Sequence, residues 1–182
     1  LIFDNIKDMK KILSAAIFLA ITAAAASCGN AKLTRVSEDF NFGWKFNLGD
    51  CAGWEDKSFD DSQWRNLHLP HDWAVEGQFD KNNPSRPSGG ALPGGIGWYR
   101  KSFATPEGVK DGKRVMGEFD GVFMNSTVYV NGKPLGTRPY GYSSFCYDIT
   151  DALNKDGSPN IMAVTPAGMQ DAAYTAMCVL ST

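Results

Sequence analysis

The run Ser126-Thr127-Val128-Tyr129-Val130-Asn131-Gly132-Lys133-Pro134-Leu135 decides the fold class of this chain. Its first five residues read as a strand, with side chains falling on opposite faces at a period of two. Asn131-Gly132 then supplies two residues that tolerate positive φ, which a two-residue hairpin turn requires. Working outward, Arg114 to Phe119 alternates in the same way, and Ser144 to Ile149 and Asn160 to Val164 read as further strands. Asp151-Ala152-Leu153 looks like a single helical turn. Upstream, Trp98 to Phe103 is strand-like, and Leu67-His68-Leu69-Pro70 is a short strand stopped by its proline. From Leu33 to Leu48 the chain places Phe40, Phe42, Trp44 and Phe46 on one face of a strand. Strands at this spacing, separated by turn signals, predict an all-β antiparallel β-sandwich.

The chain has 182 residues, 43% hydrophobic content and a formal net charge of −2. That suits one globular domain plus a short extra segment. A charge this close to zero argues against a nucleic-acid partner, which would need a basic stripe. Cys28, Cys51, Cys146 and Cys178 lack the C-x-x-C spacing of a zinc site, and no dense acidic cluster supports calcium. The sequence therefore calls for no metal and no cofactor. A Cys51–Cys146 bridge is one reading in an oxidising compartment; buried or free thiols are the other.

The first residues read as a targeting signal. Residues 1–8 look like an upstream extension of the reading frame. Met9-Lys10-Lys11 gives a start and a positive region, and Ile12 to Ala26 is an apolar stretch too short for a comfortable membrane span. Ala25-Ala26-Ser27-Cys28 places small residues before a cysteine, in the manner of a bacterial lipobox. Residues 9–28 are thus expected to be a signal peptide with Cys28 as the lipidated residue. The mature chain is then exported, as a periplasmic protein or an outer-membrane lipoprotein of a Gram-negative bacterium, touching the membrane only through that lipid. The folded domain is expected over 33–164.

The longest irregular stretch, Gly77 to Gly97, holds three prolines and six glycines. A loop of this length inside a compact domain is usually functional. It supplies the contact candidates Asn82, Asn83 and Arg86, with a surface loop packing on another domain as the alternative. Asp72 either reaches a sugar hydroxyl or caps the turn after Pro70. His71, with no evident partner for acid/base work, reads as a local hydrogen-bonding residue. Trp44, Trp64 and Trp98 offer indole faces of the kind that stack on pyranose rings. Their spacing equally makes them core anchors, and Trp98 is kept among the contact candidates.

Several segments together resemble the N-terminal sugar-binding domain of glycoside hydrolase family two, the β-galactosidase, β-glucuronidase and β-mannosidase group. They are Phe42-Gly43-Trp44-Lys45-Phe46, Asp60 to Trp64, Leu69-Pro70-His71-Asp72-Trp73, Pro93 to Lys101, Phe119 to Val122, Val128 to Lys133, and Gly141 to Phe145 with Asp148-Ile149-Thr150. The resemblance implies a jelly-roll sandwich similar to galactose-binding-like domains and a β-galactoside-like ligand. In full-length members this domain precedes further domains, including a barrel that carries two catalytic glutamates. Retaining glycosidases need that carboxylate pair about 5 Å apart. No segment here resembles the catalytic motifs, so no catalytic residue is assigned and the chain is expected to be inactive alone. In β-galactosidases of the family an asparagine before the Gly-x-Tyr segment reaches the sugar; Gly94 stands at that place here, leaving Asn82, Asn83 or Arg86 to substitute.

After Val164 the chain departs from the family. Back-translating Ala167 to Leu180 and reading one base earlier gives Arg-Trp-Tyr-Ala-Gly-Cys-Gly-Ile-Tyr-Arg, close to the family's next strand. Residues 165–182 are therefore expected to be an out-of-frame tail, with a sheet edge left open. Three readings follow: the sugar-binding domain of a secreted glycoside hydrolase whose C-terminal domains are missing, a free-standing carbohydrate-binding lipoprotein, or a non-functional gene remnant.

Overall fold

The structure, a computed structural model, describes residues 35–87, 90–166 and 174–181. The expectations for the signal region and Cys28 lie outside the described residues.

Among the described residues, eleven strands form two antiparallel sheets. The strands are β1 Ser37–Asp39, β2 Trp44–Leu48, β3 Arg65–Leu67, β4 His71–Asp72, β5 Gly97–Phe103, β6 Met116–Val122, β7 Ser126–Val130, β8 Lys133–Arg138, β9 Phe145–Asp148, β10 Asn160–Pro166 and β11 Tyr174–Ser181. One sheet has the order β3-β2-β5-β10-β7-β8. In the other, β9 and β6 lead to β11, which pairs with both β1 and β4. Among the described residues the remaining helical structure is short 3-10 turns, such as Thr150–Ala152, and no helix is long and apolar enough to cross a membrane. The fold class is the one expected, an all-β antiparallel sandwich.

Period-two alternation builds the core. Trp44 and Phe46 of β2, Tyr99 of β5, Val128 and Val130 of β7, and Met162 and Val164 of β10 point inward from one sheet. Phe119 of β6 and Phe145 of β9 meet them from the other, their rings stacked at 4.9 Å. Each such side chain contributes roughly 1.5–3 kcal/mol by leaving water. The hairpin forms where expected: Asn131 and Gly132 take φ of 53° and 79°. Asn131 also ties the turn to the rest of the sandwich. Its Nδ2 donates to the Ala152 carbonyl at 2.8 Å, and its Oδ1 accepts from Ile161 N–H at 2.9 Å.

Two expectations are corrected. The aromatic stretch is not one strand: β1 and β2 belong to different sheets, and Gly43 at φ 71° turns the chain between them. Phe40, Trp44 and Phe46 are buried, but Phe42 is 59% exposed and lies against His68. Second, β10 is flanked by β5 and β7, and Tyr174–Ser181 forms a strand between β6 and β1/β4, so the expected open edge is filled. Of the two readings of the cysteines, the free-thiol one holds: Cys51 and Cys146 are exposed and unbridged, and partial burial holds the Cys146 thiol above its usual pKa.

The outer face of the β2–β5–β10–β7 region is also covered. The segment between β2 and β3 lays Trp54, Phe59 and Trp64 over Trp98, Ala163 and Tyr129. Arg100 lies fully buried beneath it. Its Nε donates to Asp61 Oδ2 at 3.0 Å, its Nη1 donates to the Trp54 and Asp56 carbonyls, and the guanidinium sits over Phe59 and Trp64. Lys45 Nζ reaches the other Asp61 oxygen at 2.6 Å. Burial raises the pKa of Asp61, but the hydrogen bonds from Lys45 and Arg100 outweigh it and leave the carboxyl below its ordinary value.

Candidate functional site

Strand register places the candidate residues at one end of the sandwich. Leu48 pairs with Gly97, His71 and Val122 both pair with Thr175, and Ser126 pairs with Arg138 and Pro166. The connections 73–96, 123–125 and 139–144 therefore leave the molecule at the same end.

The described parts of the 73–96 connection, 73–87 and 90–96, are held by their own polar groups. Asp80 N–H donates to the Ala91 carbonyl at 3.1 Å, and Ala91 N–H donates to the Arg86 carbonyl at 2.7 Å. Asn83 Nδ2 donates to the carbonyls of Gln78 and Ala91, both at 2.8 Å, and Ser85 Oγ donates to the Leu92 carbonyl at 2.6 Å. Arg86 and Ala91 take φ of 55° and 57° to close the turn. Where the loop enters β5, a Cβ on Gly97 would lie 2.8 Å from the Phe46 ring and 3.1 Å from the Trp73 indole nitrogen. Only glycine lets the strand start this close to the core.

The sequence candidates separate in this frame. Asp72 Oδ1 accepts the Ala74 N–H at 3.0 Å, so the turn-capping alternative describes its geometry. Asn83 spends both amide hydrogens on the loop. Asn82 lies at the exposed turn after Asp80, whose carboxylate accepts its backbone N–H at 2.8 Å. Trp98 is buried to 4%: its ring stacks on Tyr129, and its Nε1–H donates to Asp50 at 3.0 Å. It presents no free face, and Trp44 and Trp64 are likewise buried, so the core-anchor alternative holds for all three. Arg86 is exposed, and its side chain has no hydrogen-bond partner among the described residues. A guanidinium projecting from a stapled loop presents a planar fork of donors to hydroxyls or carboxylates.

Beneath the loop is a cluster that sequence reasoning did not assemble. His71 Nδ1 lies 2.9 Å from the Tyr99 hydroxyl, and its Nε2 lies 2.7 Å from Arg65 Nη2 and 3.2 Å from Glu76 Oε1. Arg65 closes the ring with a 2.8 Å ion pair to Glu76. Arg65 can only donate, so toward it Nε2 is the acceptor, which leaves Nδ1 to carry the hydrogen toward the Tyr99 hydroxyl. The local hydrogen-bonding role expected for His71 is what the geometry shows. The Arg65 hydrogen bond holds the Glu76 pKa below its ordinary value. The ion pair and hydrogen bonds of this cluster hold the base of the loop. Among the described residues no group of three or more His, Cys, Asp or Glu side chains is placed to hold a metal.

Exposed apolar side chains gather at this end: Leu48, Val75, Phe79, Met124, Tyr140 and Tyr142. Phe79 and the two tyrosines stand in otherwise polar loop sequence, which is the signal that marks them.

No family model matches the chain. It is 51% identical over 140 residues to β-galactosidase BoGH2A of Bacteroides ovatus, a match covering 76% of this chain and 16% of that protein. It is 34% identical over 131 residues to a β-glucuronidase of Formosa agariphila, covering 71% and 13%. The chain thus spans about a sixth or less of the length of these curated relatives. Among solved structures, a β-glycosidase from Bacteroides vulgatus aligns with a TM-score of 0.72 at 39% identity over 80% of this chain and 20% of that one. A Bacteroides uniformis β-glucuronidase aligns at 0.68 and 29% identity, covering 81% and 18%.

Proposed function

Because this chain is homologous over about three quarters of its length (76%) to β-galactosidases and β-glucuronidases of glycoside hydrolase family two, we propose that it serves as the carbohydrate-facing β-sandwich domain of a glycoside hydrolase acting on β-galactosides. The observation that carries this reading is the 51% identity to a β-galactosidase over 140 residues. The loop end supports it. A rigid 73–96 connection with a projecting Arg86, flanked by exposed Val75 and Phe79, suits a wall that leans on a neighbouring domain and meets a sugar. The chemistry of the cleavage is assigned elsewhere in the parent protein. Two carboxylates near this end are engaged elsewhere, Asp72 in a turn and Glu76 with Arg65.

The test is a chromogenic β-galactoside assay on the purified chain, run beside a longer parent protein that includes it. No turnover is expected from the chain and turnover from the parent. Hydrolysis by the chain itself overturns the division of labour, and a parent inert on β-galactosides but active on another glycoside overturns the substrate.

A further inference from the structure

The 139–144 connection carries two aromatic residues that the core does not use. Tyr142 is 74% exposed and Tyr140 62%. Their rings meet at 5.8 Å with planes 62° apart, and Tyr142 is braced edge-on by Phe123 at 5.7 Å. The backbone under them is fixed. A Cβ on Gly141 would lie 2.8 Å from Met124 N and from Phe123 Cα, so this loop is packed against the 121–125 turn with no room for a side chain. Asn125 N–H also donates to the Pro139 carbonyl at 3.4 Å. The two rings are therefore held out into solvent by a rigid support, and exposed Ser143 and Ser144 follow them in sequence.

Resting on the carbohydrate-facing reading above, we propose that Tyr140 and Tyr142 form a second sugar-stacking platform, which holds a distal pyranose of a β-linked oligosaccharide. Two observations favour a glycan over a protein partner. Both residues are tyrosines, whose phenols combine an apolar face with a hydrogen-bonding edge and suit a ligand that is itself apolar on its faces and polar at its rim. The placement also fits an extended chain. From Gly97, where the Arg86 loop ends, to Arg138, where the tyrosine loop begins, the sheet order counts three strand steps, β5 to β10 to β7 to β8. That is roughly 14 Å at ordinary strand spacing. A monosaccharide at the loop wall does not reach the tyrosines from there, whereas an oligosaccharide does.

The experiment is native gel electrophoresis of the full chain in gels with and without soluble β-1,4-galactan. The wild type is expected to be retarded. The Tyr140→Ala/Tyr142→Ala variant should lose at least threefold of that retardation with its melting temperature unchanged, while Tyr142→Phe, which keeps the ring, should be retarded like the wild type. Should the double variant fail to fold, Tyr142→Ala alone is read in the same way. Overturning results are a wild type that runs as it does in a blank gel, a folded alanine variant retarded as strongly as the wild type, or tyrosine variants that change only the self-association of the chain. Retardation lost in Arg86→Ala but kept in the tyrosine variants sinks this platform and leaves the loop reading standing.

Discussion

Replacing Asp61 by alanine is expected to cost about 3–5 kcal/mol of folding stability, the range for removing one partner of a buried ion pair. Arg100 has no exposed surface, its Nη2 already lacks a partner, and among the described residues Asp61 is the one carboxylate it pairs with. Without Asp61 the guanidinium is left with two carbonyls and the faces of Phe59 and Trp64. Lys45 loses the same acceptor, though at partial exposure this adds little. The drop in Tm should be on the order of 10–20 °C for a domain of this size. The pH dependence has a definite sign. The folded pKa of Asp61 is below its ordinary 3.8, so its contribution is present above that value and is lost as pH falls beneath it. Thermal melts of wild type and Asp61→Ala should thus differ fully near neutrality and converge in acid. A neutral-pH difference under 1 kcal/mol would mean that the segment between β2 and β3 does not seal this face.

Trp98→Ala is the second large effect, expected at about 3–5 kcal/mol as a deletion of a buried aromatic residue. The loss includes the stacking on Tyr129 and the hydrogen bond to Asp50. The contrast with Arg86→Ala is what makes the variant informative. Arg86 is exposed on its loop, so its removal should change stability by no more than about 0.5 kcal/mol. Chemical denaturation of the two variants separates a core residue from a contact residue. A Trp98→Ala chain as stable as the wild type would restore the sugar-contact reading for that ring.

The hairpin at Asn131-Gly132 was legible because everything it needs is local, an alternating strand and two residues that accept positive φ. The strands β5, β7, β9 and β10 followed from the same short-range pattern. β1 left no such trace: Ser37, Glu38 and Asp39 are all exposed, so no apolar alternation marks them. Phe42 was misplaced because Gly43 turns the backbone and rotates the next aromatic residue into the core. The site was less legible than the fold for a physical reason. Whether Trp98 faces water depends on a segment some 40 residues away in sequence folding over it. Whether Asn83 meets a sugar or its own loop depends on carbonyls that no spacing rule brings together. What sequence does carry is chemistry standing out of context, as Arg86 does among glycines and prolines.

Contact between carbohydrate and this end of the sandwich is read out by titrating the chain with methyl β-D-galactopyranoside while recording backbone amide NMR shifts. Saturable millimolar binding is expected, with shifts concentrated between Asp72 and Gly97 and weakened in Arg86→Ala. No saturation, or shifts confined to the opposite end around the Asn131-Gly132 turn, would contradict it.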